Sequence, residues 1–208
     1  MILQALADYY ETLLENGKTA KPGWCQAKTA FALNLGSDGR LKGIITLKRE
    51  EERGKKKVWV PAYKTVPQMV TRSSRVSANF LCDNSKYILG IDAEGTGKRV
   101  KECFEAAKEK HLEVLESVDN EMARAIKAFF CSWNPEEALE HKVLQEAWEE
   151  ITDGSNLIFT MDGKDAQDDE GIRFAWERFS EGEAEEKKSA TGNPDDAAPT
   201  ALPDQLAE

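Results

Sequence analysis

No stretch of this sequence approaches the roughly 18 consecutive apolar residues that a membrane-spanning helix requires. The opening Met1-Ile2-Leu3-Gln4 has neither the basic flank nor the cleavage site of a secretory signal, so the expected location is cytoplasmic. Cysteine is sparse. Cys25, Cys82, Cys103 and Cys131 include no CxxC pair, which argues against a zinc site or a disulfide framework and predicts four reduced thiols. The two histidines, His111 and His141, each stand among carboxylates without a partner at a spacing such as HExxH, and read as satisfied or solvent-facing side chains. GxSxG does not occur, and GxxxxGK[ST] fails at Gly95-Thr96-Gly97-Lys98, where Arg99 follows the lysine and the preceding glycine is Gly90. The expectation is a protein that is not an enzyme and carries no metal or cofactor.

What remains is an ordinary globular composition: 208 residues, 40% hydrophobic and 32% charged, enough for one domain with a real core. The net charge of −10 conceals a strong asymmetry. From Lys18 to Arg75 there are 14 basic residues against Asp38, Glu50, Glu51 and Glu52, a surplus of ten, so the rest of the chain is strongly acidic. An acidic protein with one basic segment can still meet a phosphate backbone on that face. A solvated β-rich surface balanced by acidic helices is the alternative.

Periodicity predicts an α+β fold: a small, mainly antiparallel sheet, a long basic loop, covering helices and a disordered acidic C-terminal tail. Ile2, Leu3, Leu6, Tyr9, Tyr10, Leu13 and Leu14 make an amphipathic helix expected to pack on the sheet. Phe31 to Leu35 and Leu41 to Leu47 flank the turn residues Gly36 to Gly39 as a hairpin. Lys48 to Pro61 reads as a second hairpin with a basic tip. Residues 62–79 lack a period and read as one long loop. Tyr87 to Asp92 is a buried-strand candidate, followed by a helix over residues 98–117 with Val100, Phe104, Ala107, Leu112 and Leu115 inside. Asp119 is the expected cap of the next helix, whose stripe is Met122, Ile126, Phe129 and Phe130, and Asn134-Pro135 opens a third. Asn156 to Met161 is a further strand, and Ile172 to Phe179 marks a last amphipathic helix. The domain is drawn over residues 1–180 and the tail over 181–208.

Functional character concentrates in Thr71 to Asn79. Arg72 and Arg75 can fork onto phosphates or guanine edges, and Ser73, Ser74, Ser77 and Asn79 offer small donors that enter a groove. The alternative is a surface loop whose arginines pair with acidic helices. The hairpin tip, Arg53 with Lys55, Lys56 and Lys57, and nearby Lys64 are candidates for backbone contact.

Several of these segments agree, in order, with one known family. The opening Met1 to Leu6 with Tyr9-Tyr10, the Phe31-Ala32-Leu33 strand, the Gly39 to Ile44 turn and strand, Val60-Pro61, and above all Asn79-Phe80-Leu81-Cys82-Asp83-Asn84 through Tyr87-Ile88-Leu89-Gly90-Ile91-Asp92 resemble the N-terminal domain of the type I-C CRISPR large subunit. The resemblance runs from Met1 to about Phe179, and its most specific part is the Asn79 to Asp92 stretch followed by a helix with Cys103. It implies a non-catalytic role in Cascade, the RNA-guided surveillance complex, where base pairing reads the target and the protein reads the PAM of duplex DNA. The implied partners are the crRNA-processing subunit, the backbone subunits, the crRNA 5′ end and target double-stranded DNA, with no membrane. The family's PAM-reading loop precedes the Asn79-Phe80-Leu81 motif, which assigns groove contact to Arg72, Ser73, Ser74 and Arg75, with Ser77 and Asn79 close behind. Relatives carry a lysine and an asparagine in that loop, where this sequence offers Arg72 and Ser74; serine suits a minor groove, which separates A·T from G·C pairs. Relatives also continue beyond Glu183 into a further domain and a helical bundle, so a weaker hold on the displaced strand is expected. A protein-interaction module or decoy that docks on Cascade without reading DNA is the other reading.

Overall fold

The computed structural model describes residues 2–15, 20–54, 56–72 and 74–190. After helix α1 (Ile2–Glu15) come strands β1 (Trp24–Leu35), β2 (Leu41–Thr46), β3 (Arg49–Arg53), β4 (Lys56–Val60), β5 (Ala62–Pro67) and β6 (Cys82–Asn84). Helices α2 (Ser85–Ile88), α3 (Lys98–Val114), α4 (Glu121–Ser132), α5 (Lys142–Gln145) and α6 (Trp148–Thr152) follow, then β7 (Asn156–Met161), β8 (Lys164–Asp165) and α7 (Glu170–Ala190). This is the α+β fold with a mainly antiparallel sheet that the pattern predicts.

Strand β1 organises the sheet. β2 pairs with its second half and β5 with its first half, both antiparallel on one edge, while β7 runs parallel on the other edge and carries β6 and β8 antiparallel. Against β7, Thr29 pairs with Asn156 and Phe31 with Leu157, so Ala30 is an extra residue. One inserted residue reverses which face each side chain takes. Trp24 therefore faces the main core before the bulge and Phe31, Leu33 and Leu35 face it afterwards, while Cys25, Ala27 and Ala32 line the smaller apolar cluster with Val66, Cys82 and Ile158. The main core is closed by apolar residues of α3, α4 and α7, including Phe104, Phe130 and Trp176.

The β1–β2 hairpin forms as predicted, and its turn is packed tightly. Gly39, at φ +79°, lies so near α4 that a Cβ there would stand 2.5 Å from the Phe129 amide nitrogen. The β3–β4 hairpin is also present, as a separate two-stranded sheet. The predicted loop over 62–79 is shorter than expected because residues 62–67 form β5; Lys64 and Pro67 hid its alternation, and proline is tolerated on an edge strand. The Tyr87 to Asp92 strand is instead α2 and a buried turn. Asn84 caps that helix, accepting from the Lys86 amide at 3.1 Å, and a short buried apolar run does not distinguish strand from helix by itself.

Asn120, not Asp119, caps α4, accepting from the Ala123 amide at 2.8 Å. Asn134 and Pro135 open a helix as expected, but a 3-10 one over Pro135–Glu140. Leu112 is half-buried rather than inside. Helix α7 runs past the expected boundary at Glu181 to Ala190; the rest of the predicted tail lies outside the described residues. The N-terminal helix forms, but Ile2, Leu3, Leu6 and Tyr9 of its predicted stripe are 58–83% exposed instead of packed on the sheet. All four cysteines are free thiols. Among the described residues no helix is long and apolar enough to cross a membrane, and no group of three His, Cys, Asp or Glu side chains is placed to hold a metal ion.

Candidate nucleic-acid interface

The 70–81 loop is built around a buried carboxylate. Asp83, on β6, is fully buried, and its oxygens accept from Arg72 Nη1 at 2.9 Å, from Arg72 Nη2, from the Asn79 amide at 2.9 Å and from the Asn84 amide at 2.8 Å. Burial pushes the Asp83 carboxyl above its ordinary range, and the Arg72 guanidinium with the two amides pulls it back, so a negative charge at this depth depends on Arg72. Arg72 is committed in every direction. Its Nε donates to the Ser77 carbonyl at 2.6 Å, and its plane lies 3.9 Å from the centre of the Tyr87 ring. Asn79, also buried, closes the loop by accepting from the Val70 amide at 2.9 Å.

The loop's exit is held by a second buried group. Leu81 sits at φ +59°, where a branched side chain is strained, and its amide donates to His111 Nε2 at 2.9 Å. Because Nε2 accepts, Nδ1 carries the proton and donates to the Ala107 carbonyl at 2.6 Å. His111 is fully buried among Phe80, Phe130 and Phe159, and burial lowers its pKa to about 4, keeping it neutral. It is a satisfied core histidine, as its isolation in the sequence predicts.

Of the predicted site residues, Arg72 and Asn79 thus face inward and position the loop, Ser77 is half-buried, and Ser74 and Arg75 are exposed at its outer bend. Ser73 lies outside the described residues. Sequence reasoning missed the neighbour of this bend. Arg99, in the first turn of α3, donates from Nη2 to the Ser74 carbonyl at 2.7 Å, so the segment that failed as a phosphate loop ends against the basic loop. Its only signal in the chain is the pair Lys98-Arg99 behind Gly95-Thr96-Gly97.

The second predicted cluster is elsewhere and differently made. Register sets Glu52 opposite Lys57 and Arg53 opposite Lys56; Lys57 pairs with Glu50 at 3.1 Å and Arg53 with Glu51 at 3.6 Å. Lys64 is drawn to Asp165 at 2.7 Å, and Lys55 lies outside the described residues. Trp59 of the same hairpin, 67% exposed, borders a groove of about 830 Å³ floored by Phe31 and Ile44 and flanked by Lys142 and Glu146.

Compared with known families, residues 6–194 match one described as CRISPR-associated protein (Cas_Csd1). No curated protein matches the chain.

Proposed function

The chain belongs to the CRISPR-associated Cas_Csd1 family, and from that premise we propose that it is a non-catalytic Cascade subunit whose 70–81 loop reads the PAM in double-stranded DNA and so assists target binding. The observation that carries this reading is the loop's pre-organisation: an exposed bend with Ser74 and Arg75, fixed from behind by Arg72, Asp83 and Asn79. A bend tethered by such bonds loses less conformational entropy on entering a groove than a free loop would, and small side chains let its backbone approach the base edges. Guide pairing would supply the remaining specificity, with crRNA and the other Cascade subunits as partners.

The test adds this chain to a type I-C Cascade depleted of its own large subunit and titrates duplexes with intact or altered PAM. A preference for the intact PAM that falls with Ser74→Ala and Arg75→Ala is expected. Incorporation with equal binding to both duplexes would favour the second reading, a module that docks on Cascade without reading DNA. That reading draws on a separate observation, the exposed Ile2, Leu3, Leu6 and Tyr9 of α1.

A further inference from the structure

The 98–101 segment carries three cations and no acid. Lys101 is paired with Glu136 at 2.6 Å. Lys98 and Arg99 remain exposed, and neither has an acidic partner among the described residues; the same holds for Arg75. The Arg99 bond to the Ser74 carbonyl ties two of these cations to one place on the surface, with Arg75 the next residue along the loop. The cations are therefore contributed by two segments 25 residues apart and, among the described residues, meet no acid, unlike Arg53, Lys57 and Lys64.

From this we infer that Lys98 and Arg99, at the start of α3, grip the phosphate backbone of the duplex beside the groove that the 70–81 loop enters. This deepens the DNA-binding reading and rests on it. Duplex DNA carries one negative charge per about 1.7 Å of axis, so any element seated in a groove has phosphates within a side chain's reach of its flanks. Arg99 is exposed and has one Nη on the loop; Lys98, also exposed, supplies a point charge with no acidic partner among the described residues. Contacts of this kind fix orientation and carry no base information.

The experiment uses the chain assembled in Cascade, with duplexes of intact and altered PAM titrated across a fourfold range of salt. Lys98→Gln should weaken both duplexes by the same factor and flatten the log affinity against log salt slope by about 0.9. The advantage of the unmodified chain over Lys98→Gln should accordingly shrink about threefold across that range, and Lys98→Arg should restore it. Arg99→Gln should behave alike, with a further loss of PAM preference as the loop bend is released. An unchanged slope with PAM preference intact overturns the clamp and leaves PAM reading standing. A flattened slope in a complex that never discriminated the two duplexes keeps the clamp and overturns PAM reading. A loss confined to the intact PAM also overturns the clamp, because it would make Lys98 a base reader.

Discussion

The β3–β4 hairpin and the 70–81 loop both read as basic in the sequence, and they spend their charge in opposite ways. In the hairpin, Glu52 stands across from Lys57, while Lys57 pairs with Glu50 and Arg53 with Glu51, so these charges are opposed in solvent, where each pair contributes little. In the loop, Arg72 turns inward to a buried carboxylate, and what it fixes there is the position of two exposed residues, Ser74 and Arg75. A count of Lys and Arg treats these regions alike. The distinction lies in burial: an ion pair shapes the chain only where breaking it strands a charge away from water.

Removing Arg72 tests that distinction most severely. Arg72→Ala leaves Asp83 buried without its counter-charge and should cost about 3–5 kcal/mol in urea unfolding, with PAM preference lost through loop disorder. Adding Asp83→Ala should recover much of the stability but not the preference. Equal costs for Arg72→Ala and Lys57→Ala would erase the comparison. His111 gives the next effect. Its folded pKa is depressed, so its contribution is present above 6.5 and is lost as the pH falls through about 4. The gap corresponds to roughly 3 kcal/mol, read as the difference in pH-dependent stability between the unmodified chain and His111→Gln. Hydrogen exchange should rise at Leu81 on acidification well before it changes in the hairpin, whose charges are already exposed.

Much of the fold could be read from periodicity, because elements such as α3, α4 and the β1–β2 hairpin announce themselves within a dozen residues. Strand β5 could not, since Lys64 and Pro67 interrupt a pattern that only pairing with β1 reveals. The bulge at Ala30 likewise exists only relative to β7. The site follows the same rule. Arg72, Ser74 and Arg75 stand together in the sequence, but their supports come from 11 residues away at Asp83 and 25 residues away at Arg99, while Leu81 is held by His111 from a distance of 30. Chemistry carried by one segment was legible. The orientation of that chemistry was not, because long-range contacts decide which arginine faces in and which faces out.

The smaller predictions ask whether the outward charges also differ. Arg75→Ala should weaken duplex binding by about 1–3 kcal/mol if its guanidinium reads a base, with discrimination relaxed at one PAM position, or weaken all duplexes equally if it meets only phosphate. Lys57→Gln should shift duplex affinity less than threefold, because its charge is already opposed by Glu50 and the pair is screened. Glu50→Gln is the sharper probe of the hairpin. It frees Lys57 without removing any cation, so if self-pairing is what silences this region, duplex affinity should rise slightly at low salt and the gain should vanish at high salt. No gain at low salt would mean that the hairpin lies too far from the duplex to matter, and that geometry rather than charge cancellation separates it from the loop.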